Sequence, residues 1–219
     1  MLKISEMYDL EHTLAKEYLG GFTYPWEALG GIKELIVRLG ERLDKELYTE
    51  VSPQVWVHKT AKVFPSAYIG APCIIGAETE VRHCAFIRGS ALVGNNCVVG
   101  NSVELKNVII FDNVQVPHYN YVGDSIIGYR SHMGAGSITS NVKSDKTLVV
   151  VKGEGEPIET GLKKFGAMLA DFVEVGCNSV LNPGTVIGRN TNIYPLSRVR
   201  GVVPANSIYK APDDIAKKF

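Results

Sequence analysis

Residues 57–121 read VHKTAKVFPSAYIGAPCIIGAETEVRHCAFIRGSALVGNNCVVGNSVELKNVIIFDNVQVPHYNY and repeat with a period of six. A bulky apolar residue recurs at Val57, Val63, Ile69, Ile75, Val81, Ile87, Val93, Val99, Leu105 and Phe111. The residue four positions later is mostly small: Ala61, Ala67, Cys73, Thr79, Ala85, Ala91, Cys97, Val103, Ile109 and Gln115. An α-helix has a period of about 3.6 and a half-buried strand a period of two, so neither explains this pattern. A period of six indicates a hexapeptide β-helix.

Each hexad of such a helix is one short strand followed by a turn. The bulky residue fills the interior of a triangular prism, and the small residue lets the backbone turn the corner. Three hexads close one coil, and successive coils stack at about 4.7–4.9 Å. Residues eighteen apart are therefore predicted to lie directly above one another.

The composition indicates one solenoid with an appendage. The chain has 219 residues, of which 45% are hydrophobic, and its formal net charge is zero. Zero net charge gives no reason to expect a nucleic-acid or anionic-membrane surface. The four cysteines form no C-x-x-C pair, which favours reduced, structural thiols. The N-terminus has no apolar signal region and no stretch of about twenty apolar residues occurs, so we expect a soluble, cytoplasmic protein.

Residues 1–50 do not repeat, and their pattern predicts two amphipathic helices. The first has an apolar stripe that ends at Gly20-Gly21, formed by Met7, Leu10, Leu14 and Tyr18. The second starts after Pro25 and carries Leu29, Ile32, Ile36, Leu39 and Leu43. The helices could cap the open end of the coil or pack in a subunit interface. We favour the cap, because an open strand edge needs protection.

The repeat changes phase between Tyr121 and Ile127 and continues in a new frame through Met133 and Thr139. Residues 143–166 leave the repeat and, with a GEGEP turn, predict a protruding loop or hairpin. The bulky position resumes at Leu169, Val175, Leu181, Ile187, Ile193 and Val199, and the small position at Val173, Ser179, Thr185, Thr191, Ser197 and Val203. We therefore divide the chain into a helical region at 1–50, a β-helix at 51–210 and a tail at 211–219.

Two positively charged residues each come directly after a bulky interior residue of the repeat. Arg88 and Lys106 are eighteen residues apart, so they are predicted to stack on the same face of adjacent coils. Two stacked cations on a neutral protein favour an anion site, and an Arg fork beside a Lys charge suits a phosphate. The alternative is a solvated face on which Glu104 compensates the positive charge.

His118 lies just before the change of phase. An imidazole, with an ordinary pKa of about 6.5, can take a proton from an amine at neutral pH. A single histidine is more often structural than catalytic. The change of phase, the upstream cations and the downstream Gly134-Ala135-Gly136 turn favour a site here, and Asp124 is the one acidic residue nearby that could compete as the base.

These stretches resemble the acetyltransferase half of the bifunctional N-acetylglucosamine-1-phosphate uridyltransferase/glucosamine-1-phosphate acetyltransferase family. The resemblance covers roughly residues 55–205 and is strongest in IRGSALVGNNCVVGNSVELK, VPHYNYVGDSIIG and MGAGSITSN. The family's Arg-x-Gly, Val-Glu-x-Lys, His-x-x-Tyr-x-Gly-Asp and Gly-Ala-Gly-x-Ile-x-x-Asn motifs occur at matching spacing. The resemblance implies a left-handed coil and a role in UDP-N-acetylglucosamine biosynthesis.

By position, the resemblance implies that Arg88 and Lys106 hold a sugar phosphate, that His118 is the general base, and that Tyr121 and Asn141 contact the sugar. Tyr121 has a second interpretation, as a bulky residue at the small corner position where the first frame ends. The resemblance places the co-substrate acetyl-CoA along Gly134, Ala135, Gly136, Cys177 and Pro195. Backbone N–H groups would stabilise the oxyanion, without a covalent intermediate. We expect a homotrimer, because the family's sites form between neighbouring prisms.

The sequence also departs from the family. His132 is also placed by position among the substrate-binding residues, although the family has a sugar-contacting Asn there. Cys177 replaces a Ser, and Asn141-Val142-Lys143-Ser144 replaces Asn-Tyr-Asp-Gly. These changes keep open a non-catalytic sugar-phosphate-binding or assembly module. The Gly-rich nucleotide-binding sequence of the uridyltransferase half has no counterpart in residues 1–50, so we expect no nucleotidyl transfer.

A zinc site is the remaining alternative for this fold. The γ-class carbonic anhydrases share it and need three zinc-binding histidines, two of them five residues apart. The histidines of this chain are His12, His58, His83, His118 and His132. No two of them have that spacing, so we expect no metal.

Overall fold

The computed structural model describes residues 1–153 and 155–218. The chain is mainly β and forms a left-handed parallel β-helix of about nine turns. The hexads predict the β-helix, and the family resemblance implies its left hand. Glu154, in the predicted GEGEP turn, and Phe219, in the predicted tail, lie outside the described residues.

Three short α-helices precede the coil: α1 (Ile4–Met7), α2 (Lys16–Leu19) and α3 (Ile32–Gly40), with 3₁₀ turns at Leu10–His12 and Pro25–Gly31. The strands are β1 (Tyr48–Ser52), β2 (Val55–His58), β3 (Lys62–Val63), β4 (Tyr68–Ile69), β5 (Cys73–Ile75), β6 (Glu80–Val81), β7 (Phe86–Ile87), β8 (Ala91–Val93), β9 (Val98–Asn101), β10 (Glu104–Ile110), β11 (Gln115–His118), β12 (Tyr121–Ile127), β13 (His132–Met133), β14 (Ile138–Thr139), β15 (Val150–Val151), β16 (Ile158–Glu159), β17 (Ala167–Leu169), β18 (Glu174–Val175), β19 (Val180–Leu181), β20 (Thr185–Ile187), β21 (Asn192–Ile193), β22 (Arg198–Val199), β23 (Val202–Val203), β24 (Ser207–Ala211) and β25 (Asp214–Lys217).

The prism has three faces. Face A is formed by β2, β5, β8, the second halves of β10 and β12, β17, β20 and β23. Face B contains β3, β6, β9, β11, β13, β18, β21 and β24. Face C contains β4, β7, the first halves of β10 and β12, β14, β19 and β22. We name the corners by the faces that they join.

The pairing confirms the predicted interior. Val57 pairs with Ile75 and Ile75 with Val93, so residues eighteen apart stack as expected. On face A the interior column continues through Ile110, Ile127, Leu169, Ile187 and Val203. These side chains are buried and form one continuous core.

The first frame ends earlier than the sequence analysis placed it. Val93 pairs with Ile110, seventeen residues on, so Phe111 is not an interior residue of the prism as predicted. Phe111 is instead buried against Tyr8, with 5.1 Å between ring centroids. The cause is a shorter C–A corner, since β10 and β12 run through it with one residue each at positive φ, Asn107 (53°) and Asp124 (49°).

The predicted insertion leaves the coil at the C–A corner after β14 and returns at β17. It contains the antiparallel hairpin β15–β16. Val149, Val151 and Phe165 are fully buried, and Val202 N–H donates to the carbonyl of Lys152. The insertion is therefore packed along the later coils for much of its length.

The sequence favours a cap over the open end of the coil. The structure shows instead that the N-terminal residues lie along one face. Residues 1–40, which we call the N-terminal cover, lie along face A: α3 packs on β5, β8 and β10, and Pro25–Gly31 packs on β12. The outward side chains of face A explain this position, because they are apolar and buried: Ile74, Leu92, Ile109, Ile126 and Met168. Burying apolar surface stabilises a fold by about 25 cal/mol per Å², so this column favours a covering segment.

The first predicted helix forms only as short pieces. Tyr8, Asp9 and Thr13 have extended backbone conformations. Asp9 N–H donates to Asp171 Oδ2 at 2.7 Å, and Asp112 N–H donates to the carbonyl of His12 at 3.0 Å. Hydrogen bonds to the A–B corner thus replace those of a continuous helix.

Both ends of the coil carry antiparallel strands. At the first coil β1 pairs with β2, and after the last coil β25 folds back on β24. Within residues 1–153 and 155–218, no helix has the length and apolar character needed to cross a membrane.

Candidate functional site

Four of the predicted site residues lie in one line on successive coils. His118, Ala135, Cys177 and Pro195 occupy the same position of the B–C corner, and we call them the corner column. Gly136 N–H donates to the carbonyl of His118 at 3.0 Å. The same bond repeats from Asn178 to Ala135 and from Leu196 to Cys177, at 2.8 and 2.9 Å.

The backbone of His118 is fixed while its imidazole is exposed to solvent. Asn120 holds this backbone in place. It is 2% exposed, and its Oδ1 accepts from His118 N–H at 3.1 Å. The Asn120 amide also donates to the carbonyls of Gly134 and Ser137, at 2.8 and 3.0 Å. Asn120 therefore joins His118 to the turn that is predicted to contact acetyl-CoA, a role that the sequence analysis did not assign.

Packing between coils accounts for the two glycines of that turn. A Cβ on Gly134 would lie 2.7 Å from the backbone nitrogen of Cys177, and one on Gly136 would lie 2.2 Å from Asn178 Oδ1. Gly136 also has φ +72°, which glycine adopts without strain. The turn can therefore approach the next coil closely and leave its outer side open.

Arg88 and Lys106 stack as predicted, since Ile87 pairs with Leu105 and the next residues follow in register. Each cation, however, has its own carboxylate. Arg88 Nη1 lies 2.9 Å from Glu104 Oε1, and Lys106 Nζ lies 3.0 Å from Asp124 Oδ1. The Arg88 pair is exposed, whereas the Asp124 side chain is only 5% exposed. The formal charges of these four groups cancel.

Asp124 is the centre of a hydrogen-bonded cluster at the C–A corner. Its carboxylate accepts from Lys106 Nζ at 3.0 and 3.1 Å, from Asn107 Nδ2 at 3.0 Å and from Asn141 Nδ2 at 2.6 Å. Asn141 Nδ2 also donates to the Tyr121 hydroxyl at 3.1 Å. We call Lys106, Asn107, Tyr121, Asp124 and Asn141 the Asp124 network. With this many donors, both oxygens of the buried carboxylate have hydrogen-bond partners.

Tyr121 pairs with Glu104 on face C, so it is an outward strand residue. Its interpretation as a bulky residue at a small corner position was wrong, because the frame had already shifted. Burial, followed by the charges of Asp124 and Glu104, raises the pKa of Tyr121. The phenol therefore stays protonated at neutral pH and can donate a hydrogen bond.

His132 lies apart from the other predicted sugar contacts. It is an outward residue of face B, paired with Gln115 in the coil before and with Glu174 in the coil after. Its Nδ1 is 2.9 Å from Glu174 Oε2. Arg88 and the Asp124 network lie on face C and its corner with face A, so within one chain the structure does not bring His132 to them.

The cysteines divide into two buried and two exposed thiols. Burial raises the pKa of Cys73 well above its ordinary value and that of Cys97 to about 12. Cys84 and Cys177 are exposed, and all four are free thiols. Among the residues that the structure describes, no three His, Cys, Asp or Glu side chains are grouped so as to hold a metal ion.

The corner column and the Asp124 carboxylate border opposite edges of face C in the same part of the coil, and Tyr121 lies on the face between them. A ligand lying across this face could meet a free imidazole at one edge and charged donors at the other. A cavity of about 740 Å³ lies elsewhere, between α3 and β1, and contains none of these residues.

Sequence reasoning missed Asn107 and the cluster role of Asp124. Asn107 and Asp124 each form a C–A corner with a single residue at positive φ. Asn and Asp adopt this conformation more readily than most residues. The shortened spacing from Leu105 to Ile110 was the feature that could have revealed them.

The chain matches a known family in its middle part. The sequence profile described as GMPPB C-terminal domain matches residues 85–159. That range includes Arg88, the Asp124 network and His118, and it ends before Cys177.

Curated relatives extend the match across the chain. The bifunctional protein GlmU of Methanococcus maripaludis is 32% identical over 219 residues, which cover 99% of this chain and 53% of that protein. The bifunctional sugar-1-phosphate nucleotidylyltransferase/acetyltransferase of Sulfurisphaera tokodaii is 34% identical over 106 residues, or 48% of this chain and 26% of that protein. The chain spans about half the length of the GlmU relative that it matches from end to end.

Among solved structures, a hexapeptide transferase family protein from Anaplasma phagocytophilum covers 74% of this chain and 78% of its own, at 14% identity and a TM-score of 0.36. A match at this level carries no information about function.

Proposed function

Since this chain belongs to the hexapeptide-repeat acyltransferase superfamily, we propose that it is an acetyl-CoA-dependent N-acetyltransferase acting on an amino sugar that carries a phosphate or a nucleotide. The observation that carries the proposal is the corner column: an exposed imidazole with a fixed backbone, next to a glycine turn and one face away from two cations. The relative named as a bifunctional sugar-1-phosphate nucleotidylyltransferase/acetyltransferase supports the same chemistry.

In the proposed reaction the amine of the sugar attacks the thioester carbonyl of acetyl-CoA. A C–N bond forms, the carbonyl oxygen becomes an oxyanion, and His118 takes the proton that the amine loses. Backbone N–H groups near Gly134, Ala135 and Gly136 stabilise that oxyanion. The C–S bond then breaks, and CoA leaves as a thiol with the proton from the imidazolium. No group on the protein is acetylated.

The acceptor would lie across face C. Arg88 and Lys106 hold its phosphate, while Tyr121 and Asn141 donate to its hydroxyl groups. Arg88 can turn from Glu104 to a phosphate at little cost, because both side chains are largely solvated. Lys106 keeps its bond to Asp124 and presents a remaining N–H to the ligand.

A panel of amino-sugar phosphates and nucleotide-linked amino sugars tests the proposal. Each is mixed with acetyl-CoA and the purified chain, and released CoA is titrated as a thiol. We expect turnover with at least one member and none with the matching N-acetylated sugars. If no member releases CoA above the rate without protein, the proposal is wrong.

We further propose that the active form is a homotrimer, with CoA held between the corner column of one copy and a face of the next. The column is open on one side, and His132 lies too far round the prism to reach the Asp124 network of its own copy. Light scattering at micromolar concentration should give three times the mass of the chain. A monomer that turns over would contradict this arrangement.

A second candidate function is a sugar-phosphate-binding or assembly module without catalysis. The specific observation in its favour is that both cations are already paired, which leaves no net charge at the site. Binding of glucosamine-1-phosphate in calorimetry, with no CoA release from any panel member, would favour this module over the enzyme.

A further inference from the structure

Asn107 lies between the candidate site and the N-terminal cover. It forms the C–A corner of its coil at φ +53°. Its side-chain amide donates to Asp124 Oδ1 at 3.0 Å and to the carbonyl of Leu29 at 3.2 Å. The two N–H groups of one amide thus connect the centre of the Asp124 network to Pro25–Gly31.

The cover meets the network by a second route. Trp26 stacks on Phe165, with 5.8 Å between ring centroids, and both side chains are buried. Phe165 N–H donates to the carbonyl of Asn141 at 3.0 Å, and Gly166 N–H donates to the carbonyl of Asp124 at 2.8 Å. The cover therefore supports both Asp124 and Asn141.

These contacts decide where Lys106 can place its charge. Lys106 Nζ is bonded to both oxygens of Asp124, so the ammonium follows the carboxylate. The carboxylate in turn is held by Asn107 on one oxygen and by Asn141 on the other. A lysine is otherwise a flexible point charge, and a site needs such groups held to within a fraction of an ångström.

We propose that Asn107 is a positioning residue for acceptor binding: through its bonds to Leu29 and Asp124, the docked N-terminal cover fixes Lys106 and Asn141. This inference rests on the proposed function. It assigns the cover a role beyond covering an apolar face.

The test is Asn107→Gly, which removes the amide, accepts the positive φ and leaves every charge of the site unchanged. The matched control is Asn96→Gly. Asn96 is also a corner asparagine at positive φ (52°), and its amide donates only to Asn113, at 2.6 Å, on the exposed A–B corner. Any general cost of removing a corner asparagine should appear in both variants.

We expect Asn107→Gly to bind glucosamine-1-phosphate about tenfold more weakly in calorimetry, a typical size for coupling between two parts of a protein. The KM for the acceptor should rise by a similar factor, with kcat and the KM for acetyl-CoA close to wild type. Hydrogen exchange of residues 25–31 should become faster. Asn96→Gly should change none of these quantities.

Three outcomes would overturn the inference. If wild type turns over but the two glycine variants bind the acceptor equally well, Asn107 is structural only and the proposed function stands. If wild type neither binds nor acetylates any member of the panel, the proposed function fails and the inference falls with it. A loss confined to kcat would also contradict it, because a positioning role for Lys106 acts on binding.

Discussion

His118 and His132 lie one coil apart on the same prism, yet their surroundings differ. The imidazole of His118 projects from the B–C corner, and its backbone is tied to Asn120 and Gly136. The imidazole of His132 lies on the flat of face B and is paired with Glu174 at 2.9 Å. His118 therefore has a fixed backbone and an exposed imidazole, whereas the imidazole of His132 already contacts Glu174.

The difference shows why a hexapeptide coil places chemistry at its corners. Along a face, each outward side chain has a neighbour 4.7–4.9 Å above and below it, so opposite charges pair across coils. At the B–C corner, His118 is exposed and can meet a ligand. His118 fits a proton acceptor for this reason, and His132 with Glu174 fits an interstrand ion pair.

Replacing the two histidines should give the largest contrast. His118→Ala should lower kcat by about 10²–10⁴-fold with little change in the KM for the sugar, because a positioned base contributes that much. His132→Ala is the matched control and should keep kcat within a few-fold of wild type. If His132→Ala abolishes turnover and His118→Ala does not, the base has been assigned to the wrong histidine.

The paired cations should give the next largest effect. Arg88→Ala or Lys106→Ala should weaken binding of the sugar phosphate about 10- to 100-fold, the loss expected of a charge-assisted contact, without changing affinity for CoA. Calorimetry with each ligand measures both. Equal losses for the two ligands would indicate a folding defect instead.

The two cation variants should also differ from each other in stability. Lys106→Ala leaves the buried carboxylate of Asp124 without its cation, whereas Arg88→Ala removes an exposed partner. We therefore expect a lower melting temperature for Lys106→Ala alone. Equal melting temperatures would mean that Asp124 does not depend on Lys106.

The thiols test which residues acetyl-CoA covers. In the native protein a thiol reagent should modify Cys84 and Cys177, while the buried thiols, with the pKa of Cys97 raised to about 12, stay unreactive until unfolding. Acetyl-CoA should slow modification of Cys177 severalfold and leave Cys84 unchanged. Peptide mapping after labelling distinguishes the two, and equal protection of both would argue against CoA at the corner column.

The contact between His132 and Glu174 on face B should give the smallest effect. The side chains of His132 and Glu174 are 36% and 51% exposed, so their interaction contributes at most about 1 kcal/mol. Glu174→Gln should change the free energy of unfolding by no more than that and leave kcat unchanged. A large loss of turnover in Glu174→Gln would instead mean that this pair acts in the reaction.

The sequence predicted the interior of the coil well, because every sixth residue must fill it. It placed the helices wrongly, although face A differs from the other faces in runs of three apolar residues such as Cys73-Ile74-Ile75 and Val108-Ile109-Ile110, whose middle member points outward. Such a run marks a face that needs a cover. Residues 1–40 supply that cover.

The site was predictable only in part. The motifs identified His118, the two cations and Asn141, and the period of eighteen placed the cations together. Glu104 was also visible in the sequence as a compensating charge, because it lies in the regular eighteen-residue register with Arg88. The partner Asp124 and the role of Asn107 depend on register after a corner that is one residue shorter. That register follows from backbone hydrogen bonds between coils, which a periodicity of residue types does not specify.

The dependence of rate on pH tests the role of His118 most directly. With the best acceptor of the panel, kcat/KM is measured from pH 5 to 9 for wild type, His132→Ala and His118→Ala. The base must be unprotonated to act, so the rate should fall as the pH is lowered. Wild type and His132→Ala should both show this acid limb, and the residual activity of His118→Ala should lack it. An acid limb that persists in His118→Ala and disappears in His132→Ala would contradict the account.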